Sequence, residues 1–199
     1  DERESYMSLV EENNELLLNL ISDILDISKI EAGTVELTIT RVDLPRLCRE
    51  VISTCSHKKH EEAVVLCFDE SSPQIMVDAD KNRIMQVLSN FVTNALKFTT
   101  KGSVTLSYRL ENDTQVRFCV TDTGKGIPAE QQHEIFSRFV KLDSFSQGAG
   151  LGLSICQSLV ERMGGEIGVD SREGEGSCFW FTHPYTLDAS SDSEVVTKD

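Results

Sequence analysis

The chain has 199 residues, of which 39% are hydrophobic and 26% charged, a composition typical of a folded globular protein. Its 33 acidic residues exceed its 19 lysines and arginines, and the net charge of −14 argues against binding to nucleic acid or to an anionic membrane. No stretch is apolar and long enough to span a bilayer, so we expect these residues to make no direct membrane contact. The length allows one sizeable domain with a helical extension.

An amphipathic helix is predicted near residues 6–31. Its apolar side chains recur at helical spacing and form a broad stripe: Val10, Leu16, Leu17, Leu20, Ile21, Ile24, Leu25 and Ile27. The stripe is wider than the seam of a two-stranded coiled coil and is typical of a four-helix bundle. We therefore expect partner helices, with packing on the chain's own domain as the alternative. Ten acids in residues 1–36, against Arg3 and Lys29, place −8 of the net charge here.

A second helix is predicted near 43–60, where Asp43 is a suitable N-cap and Pro45 is tolerated in the first turn. Two of its cysteines and two nearby histidines invite a zinc interpretation: Cys48, Cys55, His57 and His60. We reject it because both cysteines lie in the apolar stripe of the helix and the spacing matches no common zinc pattern. The six cysteines form no disulfide framework and indicate a reducing, cytosolic compartment.

A third helix, near 80–98, has two different faces. Its core stripe is formed by apolar residues at helical spacing: Ile84, Leu88, Phe91, Ala95 and Phe98. Asn90, Asn94 and Lys97 share another face. Amide oxygens can ligate Mg²⁺, and a lysine can contact phosphate as a point charge. These residue types indicate a metal-bound phosphate ligand, although a solvated helix face is the alternative when they are taken alone.

Residues 114–122 alternate as a half-buried strand whose apolar side chains share one parity: Val116, Phe118 and Val120. Asp122 keeps this parity, so its carboxylate should point inward, which is costly unless a partner is present. The exocyclic amine of adenine is a suitable donor, whereas guanine presents a carbonyl oxygen that the carboxylate would repel. Gly124 and Gly126 then allow a tight turn against a ligand. An ordinary turn between strand and helix is the alternative.

Two further glycine clusters complete the pattern. Gly148, Gly150 and Gly152 precede a helix near 151–164, and a glycine loop that opens a helix presents backbone N–H groups to an anion. Two more glycines come before an aromatic strand, Gly174 and Gly176. Either cluster alone could be an ordinary turn.

The order and spacing of these four strings resemble the catalytic, ATP-binding domain of sensor histidine kinases. The strings are the N box NFVTNALKF from Asn90 and three glycine boxes, DTGKG from Asp122, GAGLG from Gly148 and GEG from Gly174. Residues 16–33 also resemble the end of the second helix of the family's dimerisation and phosphoacceptor domain. The string IFSRFVKLD, residues 135–143, resembles the F box. The resemblance spans about residues 6–182.

The resemblance implies roles for individual residues. Asn94 would ligate Mg²⁺ with support from Asn90, while Lys97 and Lys141 would reach the phosphates of ATP as further catalytic residues. The nucleotide-binding residues would be Asp122, Gly124, Gly126, Ile127, Phe136, Phe139, Gly148, Gly150, Leu151, Gly152, Gly174, Gly176 and Ser177. Phe136 and Phe139 would anchor a short lid, residues 140–149, that closes over the nucleotide.

The resemblance also bears on the reaction. Related ATPases of the gyrase, Hsp90 and MutL group carry a glutamate where this chain has Asn90, and an amide cannot act as a general base at neutral pH. We therefore expect slow hydrolysis and transfer of the γ-phosphate to a protein histidine, then to an aspartate of a response-regulator receiver domain. A related ATPase and a dimerising scaffold regulated by ATP are the alternatives. None of the four histidines lies in the family's acceptor string, so we expect the acceptor helix upstream and no autophosphorylation by this chain alone.

Three segments are expected: the second bundle helix (1–33), the catalytic domain (34–186) and a polar tail or linker (187–199), which could lead to a receiver domain. The parent protein should dimerise through the bundle, and this chain should be the cytosolic portion of a membrane-anchored parent. The predicted fold is an α/β sandwich, a mixed sheet with helices on one face. Its strands are predicted near 34–40, 63–68, 102–110, 114–122, 166–171 and 176–182.

Overall fold

The computed structural model describes residues 2–57, 63–140 and 150–186. Within these ranges the helices are α1 Glu2–Glu31, α2 Leu44–Ser56, α3 Lys81–Phe98, α4 Ala129–Gln132 and α5 Gly152–Arg162. The strands are β1 Thr40–Asp43, β2 Val64–Phe68, β3 Met76–Ala79, β4 Gly102–Asn112, β5 Gln115–Asp122, β6 Ile167–Arg172 and β7 Gly176–Pro184.

The main sheet has five strands in the order β2-β4-β5-β7-β6, within the part of the chain that is described. β2 and β4 are parallel, and every other neighbouring pair in this sheet is antiparallel. β1 and β3 form a separate antiparallel pair. Helices α2, α3 and α5 pack against the main sheet. The predicted α/β sandwich with a mixed sheet is therefore confirmed.

The core lies between the sheet and the helices. Alternate residues of β5 point into it and are fully buried: Val116, Phe118 and Val120. Phe118 stacks on Phe181 of β7 with ring centroids 4.7 Å apart, and Phe91 of α3 contacts the rings of Phe179 and Phe181. Burial of each such ring contributes about 1.5–3 kcal/mol, so these aromatic residues fix α3 against the central strands.

Two aspartates begin the helices that pack on the sheet. Asp43 accepts a hydrogen bond from the Arg46 backbone N–H at 2.9 Å, as its predicted N-cap role requires. Asp80 accepts from the first turn of α3, from the N–H groups of Asn82 and Arg83 at 3.0 and 3.1 Å. Its second oxygen accepts from the N–H of Thr38 at 2.9 Å. Asp80 therefore joins α3 to the segment that follows α1.

The strand predicted near 34–40 is wrong, because residues 34–39 form no strand and β1 begins only at Thr40. Within this segment Val35 is buried by packing rather than by strand pairing. Arg162, at the end of α5, donates hydrogen bonds to the carbonyl oxygens of Val35 at 2.7 Å and Gly33 at 2.9 Å. This segment is a connection between α1 and the domain, and the pairing partner of β1, strand β3, was not predicted.

Helix α1 is only partly covered by the domain. Near its C-terminal end, Ile27 and Ile30 pack against the core, and Asp26 accepts a hydrogen bond from Gln86 of α3 at 2.8 Å. Nearer the N-terminus, most apolar side chains that the structure describes are exposed. They include five members of the predicted stripe, Val10, Leu17, Ile21, Ile24 and Leu25, and also Tyr6, Met7 and Leu18. No helix in the described ranges is both long and apolar enough to cross a membrane.

Candidate functional site

Asp122 lies at the end of β5 with its carboxylate directed inward, as the alternation of the strand predicts. It is only 6% exposed and pairs in register with Ser177 of β7. One carboxylate oxygen accepts a hydrogen bond from the Gly124 N–H at 2.8 Å, and the backbone N–H of Ser177 also donates to this group. Burial raises the pKa of Asp122, and the two backbone donors oppose that rise. A buried carboxylate in this position is suited to accept a further hydrogen bond from a donor group of a ligand.

The turn after Asp122 is enclosed by two neighbouring segments. The Lys125 N–H donates to the carbonyl oxygen of Phe98 at the end of α3, and the Gly174 N–H donates to the carbonyl oxygen of Lys125 at 2.7 Å. Gly126 has a φ of 67°, and a Cβ there would lie 2.0 Å from the carbonyl oxygen of Arg172. A larger residue cannot fit without moving the backbone. The structure therefore places the second and fourth predicted strings side by side.

The polar face of α3 meets the beginning of α5. Asn90 and Asn94 are half-buried, and the Asn94 amide nitrogen donates to the Asn90 side-chain oxygen at 3.0 Å. A Cβ at Gly152 would lie 2.3 Å from the Asn90 amide nitrogen, so any larger residue at this position would displace the Asn90 side chain. Leu151 occupies the N-cap position of α5 and makes no side-chain cap. The helix end that can attract an anion therefore begins beside the asparagine pair.

Two lysines lie near the exposed end of α3. The Lys97 ammonium is 5.5 Å from the centroid of the Phe98 ring, and the Lys125 ammonium is 4.9 Å from the same centroid. Lys97 was predicted, but Lys125 was missed, although its position inside the DTGKG string was available as a signal. Both ammonium groups therefore lie within 5.5 Å of the centre of the same ring.

A hydrogen-bond network supports the glycine turns from behind. The Ser171 hydroxyl accepts from the Ile127 N–H at 2.9 Å, donates to the Gly176 carbonyl oxygen at 2.9 Å and lies 2.9 Å from the Ser177 hydroxyl. The Gln132 amide nitrogen donates to the carbonyl oxygens of Ile127 and Ser171. The sequence predicted Ile127, Gly176 and Ser177 but gave no signal for Ser171 or Gln132, because polar residues at loop ends are common.

The F-box phenylalanines have different environments. Phe136 is half-buried and lies perpendicular to Phe179, with ring centroids 6.5 Å apart. Phe139 is 72% exposed, and the structure shows no packing of its ring among the described residues. Its backbone N–H donates to the Gly150 carbonyl oxygen at 2.9 Å, which brings together the residues that flank the predicted lid. Lys141 and Gly148, together with the rest of the lid up to residue 149, lie outside the described residues.

Comparison with known proteins shows which family the chain belongs to. The sequence profile of the histidine kinase-, DNA gyrase B-, and HSP90-like ATPases matches residues 79–187, more than half of the chain. The chain belongs to this ATPase family. Its relatives identify it further as a catalytic, ATP-binding domain of the sensor histidine kinase type.

Three relatives illustrate the similarity. Hybrid signal transduction histidine kinase B of Dictyostelium discoideum is 36% identical over 191 residues, which cover 92% of this chain and 10% of that protein. The crystal structure of full-length ShkA in complex with AMPPNP has a TM-score of 0.84 and 37% identity, and covers 96% of this chain and 40% of that one. The structure of the histidine kinase ThkA in complex with the response regulator protein TrrA has a TM-score of 0.67 and 31% identity, and covers 89% of this chain and 52% of that one. The chain therefore spans only a part of each of these proteins.

Proposed function

We propose that this chain is the ATP-binding catalytic core of a sensor histidine kinase. In this role it transfers the γ-phosphate of ATP to a histidine elsewhere in its parent protein, for onward transfer to an aspartate of a response regulator. The observation that carries the proposal is the buried carboxylate of Asp122 at a strand end, enclosed by the turns at 123–126 and 173–176. The AMPPNP complex of ShkA, a relative of similar fold, supports an adenine nucleotide as the ligand.

The adenine base is assigned to Asp122. Its carboxylate already accepts from the N–H groups of Gly124 and Ser177, and it would accept a third hydrogen bond from the exocyclic amine. A hydrogen bond to a charged acceptor contributes about 1.5–3 kcal/mol, and guanine would leave the buried carboxylate facing a carbonyl oxygen. Ile127, 4% exposed, is the apolar residue that we place beside the ring.

The metal and the phosphates are assigned to the other side of the site. The amide nitrogen of Asn94 is engaged with Asn90, and its side-chain oxygen is the atom that we assign to Mg²⁺. A bound Mg²⁺ neutralises phosphate charge, which the protein must also do locally because its net charge is −14. We assign contact with the phosphates to Lys97, Lys125 and the beginning of α5, and we propose that Lys141 reaches the γ-phosphate.

Asn90 favours transfer over hydrolysis. Its amide has no basic atom that could take a proton from water at neutral pH, and its oxygen is occupied by the hydrogen bond from Asn94. The chain therefore holds the nucleotide and its metal but leaves activation of the nucleophile to the phosphate acceptor. We place that acceptor on a helix that pairs with α1, in a homodimeric bundle covering its exposed apolar stripe. The complex of ThkA with TrrA supports a response regulator as the final partner.

The proposal is tested with the parent protein, including the acceptor helix that we propose, incubated with Mg²⁺ and γ-labelled ATP. We expect protein-bound label that is lost in acid and kept in base, as phosphohistidine requires, and less label in the Asp122→Asn variant. Binding of ATP without transfer would favour a scaffold regulated by ATP. Rapid release of labelled phosphate, with none on the protein, would favour an ATPase instead.

A further inference from the structure

The face of the sheet opposite the helices carries a pair of cysteines. Cys119 of β5 lies in register with Trp180 of β7, and Cys178 lies in register with Thr121. Cys178 is two residues from Trp180, so the two cysteines are diagonal neighbours on adjacent antiparallel strands. Side chains two residues apart on a strand point to the same side, so both cysteines lie on the outer face. Neither residue belongs to the nucleotide site described above.

The two thiols are close enough for each to shift the pKa of the other, and both cysteines are free thiols. Cys119 is buried, whereas Cys178 is half-buried and therefore the more accessible of the two. The pair thus combines one thiol that a small oxidant can reach with a second thiol beside it on the neighbouring strand.

The surroundings of Cys178 favour its thiolate. Hydrogen bonds from the thiol of Cys119 and the hydroxyl of Thr121 lower the pKa of Cys178, with a smaller contribution from Arg117, while burial and Asp170 oppose this shift. The pKa of Cys119 is raised by the same hydrogen bond and by burial. A thiolate is the nucleophilic form of cysteine, so Cys178 is the residue expected to react first.

We propose that Cys178 and Cys119 form an oxidisable pair that hydroperoxides convert to a disulfide, and that this disulfide weakens nucleotide binding at the neighbouring site. The Cys178 thiolate attacks one oxygen of hydrogen peroxide, the O–O bond breaks, and the departing hydroxide takes a proton to give water and a sulfenic acid. The Cys119 thiol then loses its proton and attacks the sulfenic sulfur, the S–O bond breaks, and a second water leaves. One peroxide is reduced and two thiols are oxidised.

The register of the strands links this pair to the adenine site. Cys178 follows Ser177 directly, and the backbone N–H of Ser177 donates to the carboxylate of Asp122. Diagonal residues on paired strands have Cα atoms about 7–8 Å apart, whereas a disulfide requires about 4.4–6.8 Å. Closing the bridge must therefore pull β5 and β7 closer together at this point. Cys178 is only one residue from the Asp122–Ser177 pair, so the displacement should reach that pair. This part of the inference rests on the proposed binding of ATP at Asp122.

The remaining cysteines provide the comparison. Cys48 and Cys156 are buried in the core, and burial raises the pKa of each, which makes them unreactive. Cys67 lies on the same outer face as the pair and contacts the Thr105 hydroxyl at 3.6 Å. It is half-buried like Cys178, so Cys67→Ser is a matched control.

The experiment treats the reduced 199-residue chain with hydrogen peroxide and maps the products by mass spectrometry of non-reduced peptides. We expect a peptide pair linked through Cys119 and Cys178, lost on reduction with dithiothreitol. In Cys119→Ser, which lacks the second thiol, a dimedone adduct should appear at Cys178. The same treatment of Cys67→Ser should still give the linked pair. A folded protein that forms no such link under peroxide overturns the proposal.

The functional part is measured with a fluorescent ATP analogue in the presence of Mg²⁺. Oxidation should weaken binding about 10-fold, which corresponds to about 1.4 kcal/mol, and reduction should restore it. Cys178→Ser and Cys119→Ser should keep the affinity of the reduced protein under peroxide. Formation of the disulfide with unchanged affinity overturns the coupling to the site. Absence of nucleotide binding in the reduced protein would instead count against the proposed function, and the peptide map would still decide whether the thiol pair oxidises.

Discussion

We expect Asp122 to lower the stability of the nucleotide-free protein at neutral pH while it strengthens nucleotide binding. An acid whose pKa is raised by folding contributes stability below the ordinary carboxyl pKa and loses it as the pH rises through the folded pKa. At neutral pH its ionised form is therefore a cost to the nucleotide-free protein. Asparagine keeps an oxygen that can accept from Gly124 and Ser177 without carrying the charge.

For Asp122→Asn we expect an unchanged or higher thermal midpoint without nucleotide, and Mg-ATP binding weaker by roughly 1–3 kcal/mol. Thermal unfolding and a nucleotide titration measure the two effects. Asp113→Asn, in the exposed turn between β4 and β5, is the control and should change neither. Unchanged affinity in Asp122→Asn would mean that the adenine base is not bound at this carboxylate.

The raised pKa of Asp122 also predicts how binding depends on pH. The adenine amine donates to the ionised carboxylate, so affinity should fall as the pH decreases through the raised pKa, at a higher pH than for an ordinary aspartate. Titrations between about pH 4 and 7, near and above the ordinary carboxyl pKa, cover the relevant range. The phosphates of ATP titrate there too, but they affect wild type and Asp122→Asn equally. The ratio of the two affinities should therefore decrease toward acid pH, and a constant ratio would contradict the assignment.

Gly152 offers a test of the asparagine pair. A methyl group at this position would overlap the Asn90 amide nitrogen, which is the end of a side chain and can move aside. We therefore expect Gly152→Ala to unfold within a few degrees of wild type while losing the hydrogen bond between Asn94 and Asn90. Binding of Mg-ATP should weaken about 10-fold, through one lost or misplaced polar contact. A titration with and without Mg²⁺ separates the two ligands, and an effect confined to the metal-free nucleotide would contradict the proposed role of Asn94.

At the scale of elements, predictability depended on whether the signal is local. Helix α3 was predicted to within one residue, because its core residues recur at helical spacing. The same holds for Asp122, whose direction follows from the alternation of its own strand. β1 and β3 are four residues each and pair Thr40 with Ala79, across a separation that no local pattern reports. The contacts of Ser171 and of the Phe139 backbone were not predicted for the same reason, since they depend on other parts of the fold.

The attachment of α1 to the domain depends on a half-buried polar contact. Asp26 accepts from Gln86 at 2.8 Å and lies 3.9 Å from the Arg83 guanidinium, and both charged side chains are at most 25% exposed. We expect Asp26→Ala to weaken this attachment by about 1 kcal/mol, because it removes a partly buried carboxylate that accepts a hydrogen bond from Gln86 and pairs with the charge of Arg83. Faster amide hydrogen exchange in the last two turns of α1 would report the change.

The control for this prediction is Glu31→Ala, which removes an ion pair with Arg138 whose two side chains are about half exposed. Exposed pairs contribute little, so hydrogen exchange in α1 should change by less than about 0.5 kcal/mol. Equal effects of the two substitutions would show that burial does not strengthen the contacts by which Asp26 attaches α1 to the domain.

At the scale of the whole molecule, the exposed stripe of α1 predicts self-association. The helix has 30 residues, about 45 Å at about 1.5 Å per residue, and Leu17 and Ile24 in its stripe are more than half exposed. Residues 1–36, which include this helix, carry −8 of the net charge, so two copies attract through apolar surface and repel through charge. Salt screens the repulsion and leaves the apolar attraction in place, so association should strengthen as ionic strength increases.

Sedimentation velocity at several protein and salt concentrations should therefore show a dimer or larger species that grows with both. Leu17→Glu, which places an acid in the stripe, should remain monomeric and bind Mg-ATP as wild type does, because the stripe lies outside the nucleotide site. Leu110→Glu is the matched control, an exposed leucine on β4 whose substitution should leave association unchanged. Dissociation on addition of salt would show that charges hold the copies together. A wild-type chain that stays monomeric at high concentration and high salt would show that α1 pairs only with helices that this chain does not contain.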